Sequence, residues 1–84
     1  MTRIGKILQK SDTEFIIFGR NTCPYCRKAK KLLIDSDIDF DYIELTSSKL
    51  SDELMKYTGM NSIPVIFFED NLVGGYTELE NALS

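Results

Sequence analysis

The chain contains two cysteines and no histidine, and the two thiols lie in one short segment, Cys23-Pro24-Tyr25-Cys26. A pair separated by two residues cannot staple distant parts of a fold, so a structural disulfide framework is a poor use for it. A closed zinc site needs four nitrogen or sulfur ligands, and one chain offers only two thiols, so no metal is expected. Redox chemistry remains: two neighbouring thiols can cycle between dithiol and disulfide.

The residue between them sets the geometry. Proline suits the first position of a helix, because its missing N–H would be unpaired there anyway. With Pro24 at that position, Cys23 becomes the N-cap, and its sulfur is expected to face the free N–H groups of Tyr25 and Cys26 and the positive end of the helix dipole. Both favour the thiolate, which is the form that attacks disulfides. Cys26 lies one turn further on. Side chains at i and i+3 are about 5–6 Å apart at Cβ, so a small adjustment brings the sulfurs into bonding range. Cys26 is expected nearer the core, less ionised, and suited to resolving a mixed disulfide. Four of the ten basic residues fall within residues 27–31. Lys28 and Lys31 are expected on a solvated helix face. Arg20, in the loop before Cys23, is a candidate to meet an anionic thiol substrate.

These residues need elements to position them. Ile4, Ile7 and Leu8 give residues 3–10 the spacing of a short amphipathic helix. Residues 14–19 hold the run Phe15-Ile16-Ile17-Phe18, which reads as a strand buried on both faces. The helix opened by Pro24 is expected to reach about Ser36, with Cys26, Ala29, Leu32 and Leu33 inward. Residues 40–45 read as a strand. Residues 48–58 read as a helix with Leu50, Leu54 and Tyr57 as its stripe and Gly59 as its stop. Residues 64–68 form a second buried strand, Glu69-Asp70-Asn71 a tight turn, and residues 72–74 an edge strand. Residues 77–83 are expected to close the chain as a helix capped by Thr77, with Leu79, Ala82 and Leu83 inward. The order α-β-α-β-α-β-β-α predicts a right-handed βαβ unit with parallel strands, followed by a C-terminal hairpin. The fold class is therefore α/β or α+β, a mixed four-stranded sheet flanked by helices in one domain over residues 1–84.

Composition narrows the partners. The net charge is −3, which argues against nucleic acid as the main partner. The 84 residues are 43% hydrophobic and 27% charged, a balance that suits a globular fold. No apolar run approaches membrane-spanning length, and the first residues lack a secretory h-region, so a cytoplasmic location is expected; the chain is also expected to act as a monomer.

Taken together, Cys-Pro-Tyr-Cys after Phe18-Gly19-Arg20-Asn21-Thr22, then Ser62-Ile63-Pro64 before a strand, then Gly74-Gly75, resembles the dithiol glutaredoxins. The resemblance runs from about residue 15 to residue 79. It implies a thioredoxin-like sandwich and glutathione as reductant and co-substrate. It further implies that Cys23 attacks a disulfide or glutathionylated substrate and that Cys26 closes the intramolecular disulfide. Tyr25 would pack against glutathione, Arg20 would meet its glycyl carboxylate, and Ile63, beside Ser62, would hold its cysteinyl backbone as an added strand does, across a cis Ile63–Pro64 bond. Gly75, Tyr76 and Thr77 would hold the γ-glutamyl end, with Asn61 a further candidate contact. Here the chain departs from the family, which commonly carries Cys or Ser and then Asp after Gly-Gly. The activity implied is glutathione-dependent reduction of protein disulfides and glutathione mixed disulfides. Two alternatives stand beside it. One is a redoxin reduced by an NADPH-dependent flavoprotein reductase, serving for example ribonucleotide reductase. The other is an iron–sulfur cluster carrier built on Cys23 of two chains and two glutathione thiols.

Overall fold

The computed structural model describes residues 2–84. Helix α1 (Arg3–Lys10) starts where the Thr2 hydroxyl accepts a 3.0 Å hydrogen bond from the Gly5 N–H, and it buries Ile4 and Leu8. Strand β1 (Phe15–Gly19) is buried along its whole length, as its unbroken apolar run requires. Helix α2 (Pro24–Asp35) follows, then strand β2 (Phe40–Glu44) and helix α3 (Ser48–Thr58). The Ser47 hydroxyl caps α3 by accepting from the Leu50 N–H at 3.1 Å. Gly59, at φ 76°, ends α3 in the left-handed region that glycine enters most easily. Strands β3 (Val65–Phe68) and β4 (Asn71–Gly74) form the hairpin, and helix α4 (Tyr76–Leu83) closes the fold.

The sheet order is β2-β1-β3-β4. β1 runs parallel to β2 and antiparallel to β3, and β3 runs antiparallel to β4. This is the thioredoxin-like arrangement. Side chains of β1 alternate between two cores. Ile16 and Phe18 join Ile4, Leu8, Leu45, Leu54, Val65 and Phe67 on the α1/α3 face. Phe15 and Ile17 join Ala29, Leu33, Ile66 and Leu79 on the α2/α4 face.

Four local expectations are corrected. The hairpin turn is two residues, Glu69 and Asp70, at φ 47° and 69°, and Asn71 already belongs to β4. Two positive φ values match the twist of the flanking strands better than a longer turn does. Helix α4 begins at Tyr76 with Gly75 as N-cap, so Thr77 is an exposed residue inside the first turn and not the cap. The carboxylate of Glu78 reaches back to accept from the Gly75 N–H at 2.7 Å, which takes the place of a hydroxyl cap. Ala82 is exposed, contrary to expectation, while Leu79 is buried and Leu83 half-buried. In α3, Tyr57 remains 46% exposed, although its ring lies 6.3 Å from that of Phe67.

The β1/β3 register sets Phe18 opposite Val65. The chain leaving the C-terminal end of β1 toward Cys23 therefore lies beside the chain entering β3 through Ile63 and Pro64. β4 ends at the same edge, where a β-carbon on Gly75 would lie 3.6 Å from the Pro64 carbonyl oxygen. Three segments far apart in sequence meet at one end of the sheet.

Candidate functional site

Cys23 is the N-cap of α2, with extended backbone at φ −90° and ψ 119°, and Pro24 opens the helix. The loop before it is tied down at both ends. The Cys23 N–H donates to the Arg20 carbonyl at 3.0 Å, and the Asn21 N–H donates to the Glu44 carboxylate at 3.2 and 3.3 Å. One expectation fails. The Cys23 sulfur makes no side-chain capping hydrogen bond to the helix N–H groups. Sulfur in a thiol is a weak acceptor, so the placement at the helix end is present without the bond.

The two sulfurs differ sharply in environment. Cys23 is half-buried and Cys26 is 0% exposed. Burial pushes the Cys26 thiol up to about 11 from 9.0; the backbone of Arg20 opposes this, the nearby Cys23 side chain adds to it, and the Tyr42 hydroxyl opposes it. Cys26 is thus held as the protonated partner.

Beside the cysteines lies a shallow groove of about 210 Å³, lined by Tyr25, Ser62, Ile63, Pro64, Gly75, Tyr76, Thr77 and Glu78. The Ile63–Pro64 bond is cis, as the resemblance implied. Of the proposed ligand-binding residues, the groove brings together Tyr25, Ser62, Ile63, Pro64, Gly75, Tyr76 and Thr77, whereas Arg20, Cys23 and Asn61 do not line it. Arg20 is exposed and forms no ion pair among the described residues. Tyr25 is 56% exposed, and its ring lies 5.9 Å from that of Tyr76 at a 44° tilt. The two rings form an aromatic wall, and Lys28 Nζ sits 4.9 Å from the Tyr25 centroid. Lys28 lies on the exposed face of α2, as expected, with its ammonium over the exposed Tyr25 ring, and Lys31 pairs with Asp35 at 3.3 Å on the same exposed side. A larger hollow of about 430 Å³ lies at the far end of β1, between residues 12–15 and 37–39, and contains no thiol.

Sequence reading missed three contributors. Gly19 lies directly under Cys26, where a β-carbon would sit 2.5 Å from Sγ and 3.0 Å from the Tyr42 hydroxyl. A glycine at the end of an apolar strand is a signal of close backbone approach and pointed to it. Tyr42 and Glu78 carried no such signal, since a tyrosine in a strand and a glutamate in a first helical turn are ordinary there.

A half-buried thiol at a helix start, a buried thiol one turn on and a cis-proline groove thus lie together at one end of the sheet. The family model Glutaredoxin matches residues 15–73. The chain is 35% identical over 72 residues to mitochondrial glutaredoxin-2 of Homo sapiens, covering 81% of this chain and 44% of the relative, so it spans under half of that protein's length. It is 31% identical over 64 residues to glutaredoxin 3 of Escherichia coli, covering 75% of this chain and 77% of the relative. Among solved structures, the dithiolic glutaredoxin 2-C-Grx1 of Trypanosoma brucei brucei superposes with a TM-score of 0.81 at 27% identity, covering 96% of this chain and 86% of that one. Glutaredoxin 1 of Francisella tularensis superposes with a TM-score of 0.72 at 32% identity, covering 82% of this chain and 90% of that one. The cysteine pair, the fold around it and these matches establish that the chain belongs to the glutaredoxin family.

Proposed function

We propose that this chain reduces protein disulfides and glutathione mixed disulfides, with glutathione as the returning reductant. The asymmetry of the two cysteines carries this reading: the thiol beside the groove is reachable, and the one behind it is 0% exposed. The Cys23 thiolate attacks one sulfur of the substrate disulfide, forming a mixed disulfide and releasing the other sulfur as a thiolate. Cys26 then loses its proton and attacks the Cys23 sulfur. The intramolecular disulfide forms, and the second substrate sulfur leaves and takes up a proton. Two glutathione thiols reverse the change and end as glutathione disulfide.

The groove supports glutathione as the partner. Neither the N–H nor the C=O of Ile63 is hydrogen-bonded among the described residues, so both are free to pair with an extended peptide as one more strand would. Tyr25 and Tyr76 offer apolar faces, and Arg20 offers a cation for a carboxylate. One observation favours a second reading, in which a flavoprotein reductase supplies the electrons. Glu78 lines the γ-glutamyl end of the groove and already occupies the Gly75 N–H, placing a negative charge where a glutathione carboxylate would come.

The deciding experiment follows turnover of a glutathionylated peptide by wild type, Cys23→Ser and Cys26→Ser, with glutathione or with NADPH and a flavoprotein reductase. Cys23→Ser should be inactive. Cys26→Ser should keep activity on the glutathionylated peptide and lose it on a protein disulfide. Activity with the reductase but not with glutathione selects the second reading, and an active Cys23→Ser overturns both.

A further inference from the structure

Tyr42 Oη is the one buried side-chain polar atom without a hydrogen-bond partner among the described residues. A buried hydroxyl in that state is costly and calls for an explanation. Its surroundings supply one. A single point, the position a β-carbon would take on Gly19, lies 3.0 Å from Tyr42 Oη and 2.5 Å from Cys26 Sγ. The hydroxyl and the thiol thus converge across the bare Cα of Gly19. Tyr42 stands on β2 paired with Ile17, under the first turn of α2, and Lys30 Nζ lies 4.3 Å above its ring.

We propose that Tyr42 is a positioning residue for the second half of the exchange: its hydroxyl donates a hydrogen bond to the Cys26 sulfur as that sulfur becomes a thiolate and attacks Cys23. This rests on the dithiol exchange proposed above and assigns a residue to its resolving step. A neutral thiol is a weak acceptor, so in the reduced protein the hydroxyl is left waiting. Once Cys26 ionises, the same hydroxyl meets a full negative charge in a dry site, where a charge-assisted bond is about twice as strong as a neutral one. The phenol stays a donor throughout. Burial, with the charges of Cys26 and Glu44 adding to it, raises its proton affinity well above that of an ordinary tyrosine. The Lys30 ammonium over the ring draws electron density from it and strengthens the donor. The titratable and charged groups around the sulfur are therefore Cys23 on one side, Tyr42 beneath, and Glu44 and Lys30 beyond Tyr42. The step balances without another reactant: the Cys26 proton leaves to solvent, the Cys23–Cys26 bond forms, and the bond from Cys23 to the substrate sulfur breaks.

The test uses the intact reduced protein and dithiobis(nitrobenzoate), a disulfide that reports each half-step by release of a coloured thiolate. The first equivalent marks attack by Cys23, and the second marks closure by Cys26. In Tyr42→Phe the first phase should match wild type. The second should slow by roughly three- to tenfold between pH 6 and 9, the loss of one charge-assisted bond offset in part by the higher intrinsic nucleophilicity of a more basic thiolate. In a Cys26→Ser background the substitution should leave the single remaining phase unchanged. Equal second-phase rates in Tyr42→Phe and wild type overturn the proposal, as does a first phase slowed to the same degree, which would mark a packing defect. Absence of a second phase in wild type would instead refute dithiol exchange itself. Tyr42→Leu, which lacks both ring and hydroxyl, should slow closure no less than Tyr42→Phe; closure faster than in Tyr42→Phe would show that the hydroxyl is not the operative group.

Discussion

Cys26 Sγ occupies the space beside Gly19 that any other residue's β-carbon would need: a β-carbon there would lie 2.5 Å from the sulfur. Neither partner can yield easily, because Gly19 ends a wholly buried strand and Cys26 is fixed in the first turn of α2. The contact fixes the Cys26 sulfur against the end of β1.

Gly19→Ala is therefore expected to destabilise the reduced protein by about 1–3 kcal/mol, the usual cost of forcing a methyl group into a filled core. It should also displace the start of α2 and impair closure of the disulfide more than the initial attack by Cys23. Urea unfolding of the reduced form measures the first effect, and the two-phase reaction with an aromatic disulfide measures the second. An unchanged unfolding midpoint would mean that α2 shifts without cost.

A second prediction concerns pH. The fold raises the Cys26 thiol to about 11, against 9.0 without the fold. Between these values the unfolded chain has released a proton that the native state still holds. Native stability must then fall as pH rises through this window, by roughly 1.4 kcal/mol per unit while the difference is complete. Tyr42, raised for the same reason, acts with the same sign at higher pH. Denaturant titrations of the reduced protein at pH 8, 9 and 10 should show the decline. Cys26→Ala should show less of it, and parallel profiles for the two proteins would mean that the thiol is not held protonated by burial.

A third prediction separates two roles of Glu78. Its carboxylate accepts from the Gly75 N–H at 2.7 Å and packs over Gly74, where a β-carbon would meet its Cγ at 2.8 Å. Glu78→Ala should cost about 0.5–1.5 kcal/mol through loss of the cap. Glu78→Gln keeps an amide oxygen for the cap and removes the charge. If glutathione binds the groove as proposed, Glu78→Gln should lower KM for a glutathionylated peptide by about two- to fivefold, as expected for removing one exposed like charge. Steady-state kinetics in low and high salt check this, since the gain should shrink as salt screens the repulsion.

Much of this molecule was legible from residue order because short-range physics governs it. Pro24 opened α2 where a proline at a helix start is expected, and Cys23 fell at the N-cap. Gly59 ended α3 in the left-handed conformation. The unbroken run Phe15-Ile16-Ile17-Phe18 became the fully buried strand at the middle of the sheet. Where residue order misled, competing local solutions of similar energy existed. The end of the hairpin allowed a two- or three-residue turn, and the start of α4 allowed a hydroxyl cap from Thr77 or a carboxylate reaching back from Glu78. Tertiary packing selected between them.

The sequence by itself determined that this protein carries two thiols in unlike places, one at a helix start and one a turn inside, because their spacing and the helix start are properties of four consecutive residues. Only the tertiary structure decided what surrounds them. The β1/β3 register brings Ile63 and Pro64, some forty residues away, to the end of the strand that leads into Cys23. The parallel pairing of β1 with β2 carries Tyr42 beneath Cys26. Contacts between residues distant in the chain depend on how whole elements pack, and no local pattern records them.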